Sequence, residues 1–197
     1  MGLTQHSGAS LYSLPAEIRV DIYRLVLENV TIHILPREAG HERRRPHPLT
    51  LTSKIVRNEV LPLIHANCAI MAVITDFNFS GMLDFVARIP PNELNALAKN
   101  QRLKIQFSFT AGGAKDDGKT AGETQSLRSW LQYRADKCRP QAKWQYSGVR
   151  PPRKVESFVR RRIKRMTEEG KRQEMVALAK GMQIDRIQEK ESTSSSS

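Results

Sequence analysis

The most regular pattern of apolar and polar positions in the chain lies near its start, in the segment LYSLPAEIRVDIYRLVL, residues 11–27. Apolar side chains recur there at the three- and four-residue spacing of an α-helix, and Arg19 and the acidic residues fall mostly away from them. Ser13 is positioned to cap this helix, and Pro15 suits its first turn, where a missing N–H costs nothing. The pattern predicts an amphipathic helix that packs through one apolar stripe. The stripe consists of Leu14, Ile18, Ile22, Leu25 and Val26.

A second helix is predicted from about Thr50 to His65, where apolar residues again follow helical spacing. Pro62 is expected to end or kink it, because proline lacks the backbone N–H and clashes with the preceding turn. If the two helices pack together, the corner formed by Leu14 and Pro15 stays free to contact another protein. The core candidates of the second helix are Ile55, Val56, Val60, Leu63 and Ile64.

Four short stretches have the pattern of β-strands. RLKIQFSF (102–109) alternates apolar and polar residues, which predicts a strand with one buried face. AIMAVI (69–74) is a continuous apolar run, consistent with a buried strand, and VTIHIL (30–35) and KWQYSG (143–148) are shorter candidates. Residues 79–89 have helical spacing and stop at two prolines. Strand, helical crossover and strand together predict a βαβ-like unit after the helical opening.

The second half of the chain is predicted to contain further helices. SLRSWLQYRADKC (126–138) has moderate helical character, and the chain is helical again from about Val155, with breaks expected at Gly170 and Gly181. We therefore predict an α+β protein with a helical N-terminal part, a small strand–helix–strand unit and a basic C-terminal helix. The predicted organisation is a flexible N-terminus over 1–10, an α+β domain over 11–148, a basic helical tail over 149–190 and a disordered Ser-rich end over 191–197.

Composition indicates a modest core and no membrane span. Apolar residues make up 39% of the 197 residues, the mean hydropathy is −0.49, and no run approaches the roughly 18 apolar residues of a membrane-spanning helix. The first ten residues lack the basic and apolar regions of a secretory signal. Cys68 and Cys138 have no metal-like spacing and are expected to be reduced thiols. The expected location is the nucleus or the cytoplasm.

The charge is concentrated in the second half. Residues 1–95 carry nine basic and nine acidic side chains, whereas residues 96–197 carry 23 and 11, which accounts for the whole formal charge of +12. Two interpretations stay open: a solvated basic helix with a nuclear-localisation-like cluster, or a nucleic-acid-associated protein that contacts phosphates. The residues that would form the cluster or contact the phosphates are Arg160, Arg161, Arg162, Lys164 and Arg165.

The segment Gly113–Thr120, GAKDDGKT, satisfies the phosphate-loop pattern G-x-x-x-x-G-K-[ST] and follows a predicted strand. In such a loop Lys119 would contact the phosphates of a nucleotide, and Thr120 would hold Mg²⁺. Asp116 and Asp117 count against this interpretation, because two carboxylates inside the anion-binding loop repel a triphosphate. A chance match in a glycine- and lysine-rich loop is the favoured explanation, and nucleotide binding is the third functional hypothesis.

No arrangement of residues indicates a catalytic centre. The five histidines show no metal-ligand spacing, and no serine lies in a G-x-S-x-G turn. Neither cysteine has the sequence context of a nucleophile. We therefore expect a protein that is not an enzyme and that needs no cofactor and no metal.

The segment LPAEIRVDIYRLVL (14–27) resembles the first helix of the F-box, whose pattern is Leu-Pro-x-Glu-hydrophobic-x-x-x-Ile-[Phe/Tyr]-x-x-[Leu/Val]. The segment also resembles a broad group of fungal F-box-like proteins, in which a helix near "LLxTCRQIxxEALPLFY" and then a strand follow. LTLTSKIVRNEVLPLIHANCAIMAV (49–73) resembles that second part, and the resemblance covers roughly residues 11–110.

The resemblance implies a compact helical bundle that docks on the adaptor subunit of a cullin-RING ubiquitin ligase, while the rest of the chain binds a protein substrate. The residues implied in docking are Leu14, Pro15, Ile18 and Ile22. The expected function is therefore a non-catalytic protein-interaction module of the substrate-adaptor type. Binding of nucleic acid through the basic C-terminal helix is the alternative.

Overall fold

The computed structural model describes residues 10–35, 46–110 and 120–184, with side chains from Gln125 onward in the last range. Within these ranges four strands form one sheet in the order β1-β2-β3-β4, and all neighbours are parallel. The chain is thus a mixed helix-and-strand protein, as predicted, and the βαβ-like unit extends to all four strands. The strands are β1 (Thr31–Ile34), β2 (Ala69–Thr75), β3 (Leu103–Ser108) and β4 (Gln145–Gly148).

Helices precede the sheet, connect its strands and follow it. Each connection between consecutive strands contains a helix, because parallel neighbours cannot be joined by a tight turn. A 3₁₀ turn, Leu11–Ser13, precedes the first helix. The helices are α1 (Ala16–Leu27), α2 (Leu49–Thr52), α3 (Lys54–Asn67), α4 (Ser80–Arg88), α5 (Pro91–Lys99), α6 (Thr120–Ala135), α7 (Arg153–Arg165) and α8 (Glu169–Gly181).

The central strands bury one face of the sheet. In β3 the alternation predicted from the sequence is confirmed, since Leu103, Ile105 and Phe107 are buried while Lys104 is exposed. The continuous apolar run of β2, which is consistent with a buried strand, is buried only at alternate residues, and Val73 is exposed. Side chains on a strand alternate between faces, and in β2 the buried residues are Ile70, Ala72 and Ile74, which share one face.

The main core lies between this face and the helices, including α7 and α8. Phe79 stacks on Trp130 at 5.3 Å between ring centroids, and Val159 of α7 and Met175 of α8 are completely buried in the same cluster. Helix α8 lies so close to β4 that a side chain at Gly181 would collide with Tyr146. The helical part of the predicted tail is therefore packed into the domain.

The boundary between the last two helices differs from the prediction. The helical break was expected at Gly170, but it spans residues 166–168, and Gly170 lies inside α8. Gly170 is tolerated there because it packs against Ala135 of α6, where an added Cβ would lie 3.3 Å from the Ala135 Cβ. The end of α8 at Gly181 agrees with the prediction.

A second, smaller core joins α1 to α3, and here the predicted apolar stripe is wrong. Tyr23 and Leu27 are the buried residues of α1, whereas Ile18, Ile22, Leu25 and Val26 are exposed. The physical reason is Glu59 of α3, which accepts hydrogen bonds from Arg19 Nε at 3.2 Å and from the Tyr23 hydroxyl at 3.1 Å. This polar contact turns the side of α1 that carries Arg19 and Tyr23 toward α3. The buried partners on α3 and just after it are Val56, Val60, Ile64 and Cys68.

The second predicted helix is two helices in the structure. Ser53 has extended backbone angles between α2 and α3, and its hydroxyl accepts a hydrogen bond from the Val56 N–H at 3.2 Å, which caps α3. Ile55 was expected in the core but is exposed in this first turn. Pro62 does not end the helix, which continues to Asn67.

Candidate functional site

Helix α1 presents four apolar side chains to solvent. Ile18, Ile22, Leu25 and Val26 are between 36% and 73% exposed; we call them the α1 apolar surface. Their spacing places them along one side of the helix, next to the side that packs on α3. Grouped exposed apolar side chains on one element are typical of protein–protein contact sites.

Further exposed apolar residues lie on the 3₁₀ turn that precedes α1 and on α2 and α3. Leu51 of α2, Ile55 of α3 and Tyr12 of the 3₁₀ turn are all exposed. The Tyr12 hydroxyl donates a hydrogen bond to Ser53 Oγ at 2.7 Å, so the start of α3 holds the segment that leads into α1. The N-terminal helices thus combine a small buried core with exposed apolar side chains on three neighbouring elements.

The Leu-Pro corner stands at the start of α1. Pro15 is exposed and is the residue that precedes the helix, while Leu14 is partly buried. The Leu14 carbonyl accepts a hydrogen bond from Arg19 Nη1 at 2.7 Å, which fixes the corner to the first turns of the helix. Ser13 does not cap α1 as predicted, because it lies in the 3₁₀ turn and its hydroxyl donates to the Ser10 carbonyl at 2.6 Å. Of the four residues implied in docking, Pro15, Ile18 and Ile22 are exposed.

The orientation of α1 depends on the cluster of Arg19, Tyr23 and Glu59. Two of the three guanidinium nitrogens of Arg19, Nε and Nη2, bond to the Glu59 carboxylate, and this hydrogen bonding lowers the pKa of Glu59. Burial raises the pKa of Tyr23, and its hydrogen bond to Glu59 raises it further. The ion pair and the tyrosine hydroxyl therefore hold α1 on α3 without using the exposed apolar side chains.

The basic residues of α7 divide into two groups. Arg160 forms an ion pair with Glu156 at 2.7 Å, and Glu156 also pairs with Arg150 at 3.3 Å. By contrast, Arg161, Arg162 and Arg165 line an open cavity of about 460 Å³. The other two lining residues are Phe158 and Met166, and Lys164 is exposed outside the cavity. The five basic residues predicted to act together are thus separated by their orientation around the helix.

Arg162 is the most enclosed of the cavity arginines. Its guanidinium carbon lies 5.8 Å from the centre of the Phe158 ring, and its Nε is buried without a hydrogen-bond partner among the described residues. Burial lowers the pKa of Arg162, and the charge of Arg128 lowers it further. A positive group in this position would be stabilised by an anion in the cavity.

The remaining candidates from the sequence do not form a site in the described part of the chain. Gly113–Lys119 of the phosphate-loop pattern lie outside it, and only the backbone of Thr120 is described, at the start of α6. Asp76, at the end of β2, accepts hydrogen bonds from the N–H and the hydroxyl of Thr110, at 3.2 and 2.7 Å. No group of three potential metal ligands occurs among the described residues.

The buried histidine His65 and the buried cysteine Cys68 lie in packed parts of the fold. His65 Nδ1 lies 2.7 Å from Glu93 Oε2 in a buried contact between α3 and α5, and burial lowers the pKa of His65. Cys68 is buried and Cys138 exposed, and both are free thiols. Burial raises the pKa of the Cys68 thiol, which disfavours the nucleophilic thiolate.

Comparison with known proteins adds no relative from which a function can be transferred. The chain matches no protein-family model, no curated protein and no solved structure. Within the described residues, no helix has the length and apolar character needed to cross a membrane.

Two features of these surfaces were missed by sequence reasoning. Leu25 and Val26 were assigned to the core, because periodicity cannot tell which of two adjacent sides of a helix is covered. Phe158 was not connected with the arginines, although its separation of three, four and seven residues from Arg161, Arg162 and Arg165 places all four on one side of α7. This helical spacing was the feature of the sequence from which the grouping of Phe158 with the three arginines could have been predicted.

Proposed function

We propose that the chain is a non-catalytic protein-interaction module that docks on the adaptor subunit of a cullin-RING ubiquitin ligase through the α1 apolar surface and the exposed Pro15. The observation that carries the proposal is the exposure of four apolar side chains on a helix whose own packing uses other residues. The resemblance of residues 14–27 to the first F-box helix supports the identity of the partner.

The energetics favour a partner on this surface. Burial of a large aliphatic side chain contributes about 1.5–3 kcal/mol, so four such side chains offer a substantial driving force even after the cost of association. Because Tyr23 and Leu27 already hold α1 on α3, docking needs no rearrangement of the domain.

A substrate adaptor must also bind the protein that is to be modified. In this chain the sheet and the helices packed on it are the part that remains for binding that protein. The formal charge of the second half is positive, which favours partners of negative charge.

The proposal is tested by measuring affinity of the purified chain for purified ligase adaptor by calorimetry. The double variant Ile18→Ala, Ile22→Ala is expected to weaken binding at least about tenfold, because the few side chains that dominate an interface lie near its centre and cost about 2 kcal/mol or more when truncated. The matched control is Asp21→Ala, Arg24→Ala, which removes an exposed ion pair of 2.9 Å from the same helix without changing net charge.

Both double variants should keep the melting temperature of the unmodified chain, since all four residues are exposed. The proposal is wrong if the unmodified chain does not bind the adaptor, or if the control weakens binding as much as the apolar variant does.

A further inference from the structure

The cavity on α7, far from α1 in the sequence, is lined by basic and apolar side chains. We propose that the cavity on α7 lined by Arg161, Arg162, Arg165, Phe158 and Met166 binds single-stranded nucleic acid, with the arginines on a phosphate and the phenylalanine against a base. This function is independent of docking through α1.

The arginines of the cavity have no carboxylate partner among the described residues, although Arg161 Nε donates a hydrogen bond to the Ser157 carbonyl at 3.3 Å. No carboxylate among the described residues lies within ion-pair distance of Arg161, Arg162 or Arg165. Guanidinium groups bind phosphate through two parallel hydrogen bonds, which makes arginine well suited to phosphate recognition. A phosphate in the cavity would face three guanidinium groups.

The buried Nε of Arg162 is the second observation that points to a ligand. A buried donor without a partner costs free energy comparable to a lost hydrogen bond, and a phosphate oxygen in the cavity would supply the missing acceptor. A buried Nε is not peculiar to Arg162, since that of Arg160 is also buried, but the charge of Arg160 is already neutralised by Glu156. The ligand site is therefore restricted to one side of α7.

The apolar lining suits a nucleobase. Phe158 is held by packing against Phe77, with ring centroids 6.3 Å apart, so the ring is a fixed surface. Bases stack on such aromatic side chains in proteins that bind single strands. A cavity of about 460 Å³ falls within the usual range of small-molecule sites, which is suitable for one nucleotide unit.

The charge around the cavity favours a polymer over a single phosphate group. Further exposed basic residues lie on α7, namely Arg153 and Lys154 before the cavity and Lys164 within the same turns but outside the cavity. The acidic residues of the following segment are paired, Glu168 with Lys171 and Glu169 with Arg172. Regularly spaced phosphates of a nucleic acid can use this row of cations, and an unstacked base is available only in a single strand.

The test is fluorescence anisotropy of a 5′-labelled oligothymidylate of about 20 nucleotides titrated with the full chain at about 50 and about 150 mM salt. The variant Arg161→Ala, Arg165→Ala should weaken binding at least about tenfold and reduce the slope of log K against log salt by about 1.4, because each lost phosphate contact removes about 0.7. The charge-matched control is Arg88→Ala, Lys99→Ala, two exposed cations on α4 and α5, which should change affinity less than about threefold.

Two further variants separate recognition from general charge. Arg162→Lys keeps the charge but loses the planar donor pair, and Phe158→Leu keeps the charge but loses the stacking surface; each should weaken binding about fivefold or more. If Phe158→Leu lowers the melting temperature, the affinity of Arg162→Lys alone decides whether recognition is specific. The α1 variant Ile18→Ala, Ile22→Ala should bind the oligonucleotide normally.

Three outcomes would overturn the proposal. An equal loss of oligonucleotide affinity in the cavity variant and in the charge-matched control would show that the oligonucleotide is attracted by general positive charge and not by the cavity. Equal affinity for a duplex of the same length would exclude base contact with Phe158. If the chain binds a phosphoserine peptide but not the oligonucleotide, the ligand of the cavity is a phosphorylated protein and not a nucleic acid.

Discussion

Glu59 determines which side of α1 is buried. Its carboxylate joins Arg19 and Tyr23 of α1 to α3 across 40 and 36 positions of the sequence. An arginine and a tyrosine can face inward only where an acceptor is available, because a buried donor without a partner is costly. Glu59 supplies that acceptor.

The Arg19–Glu59 contact should make stability depend on pH. The hydrogen bond from Arg19 lowers the folded-state pKa of Glu59 below its ordinary value of 4.5. This contribution to stability is therefore present above pH 4.5 and is lost as the pH falls through the lowered pKa. In urea unfolding measured between pH 7 and pH 3, Glu59→Gln should be less stable than the unmodified chain at pH 7, and the difference should shrink as the pH falls.

If the difference in free energy of unfolding between Glu59→Gln and the unmodified chain stays the same across this pH range, ionisation of Glu59 does not stabilise the fold. Asp21→Asn is the matched control, because the ion pair of Asp21 is exposed. Exposed pairs contribute little, so its pH dependence should match that of the unmodified chain.

At the scale of elements, α1 is held by few contacts, and its exposed side is free for a partner. Its buried residues are Tyr23 and Leu27, and the Ser53 cap and the Tyr12 hydroxyl hold the neighbouring segments in place. The helix is thus positioned by its C-terminal half and its side contact with Glu59, which leaves the N-terminal corner accessible.

Leucines two positions apart on α1 should respond differently to truncation. Leu27→Ala should lower the free energy of unfolding by about 2–5 kcal/mol, as buried leucines do, whereas Leu25→Ala should change it by less than about 0.5 kcal/mol. Urea unfolding at neutral pH measures both. A large effect at Leu25 would mean that the side of the helix that carries Leu25 is packed, as the periodicity predicted.

At the scale of the whole molecule, one hydrophobic core extends from β1 to the end of α8. Val159, Ile163, Met175 and Leu178 are buried with the strands, and Glu174 of α8 pairs with Arg134 of α6 at 2.9 Å and accepts from the Tyr146 hydroxyl. The basic surface of α7 is therefore carried by a helix that is part of the fold.

Removal of α7 and α8 should unfold the domain. A chain that ends at Val149 would expose the apolar surface of β4 and α6 and lose the Glu174 contacts, so no cooperative thermal transition is expected by circular dichroism. A chain that ends at Ile184 keeps every described element and should melt close to the full chain. Cooperative unfolding of the shorter chain would instead identify residues 150–184 as a separable tail.

Much of the local structure could be predicted because it depends on neighbouring residues. The alternation in β3, the end of α4 before two prolines and the end of α8 at Gly181 follow from side-chain period and backbone restriction, which the sequence shows directly. The basic character of α7 and the Leu-Pro start of α1 were visible in the same way.

The tertiary structure decided which sides of these elements are covered. Ile18 and Tyr23 both fit an amphipathic helix, and only the position of Glu59, on another helix, selects Tyr23 for the core. Likewise the sequence shows a row of arginines on α7, but their division between the Glu156 ion pair and the open cavity depends on what packs beside the helix. Periodicity defines the sides of an element, whereas contacts between residues distant in sequence determine which side meets solvent and so which side is free to bind a partner.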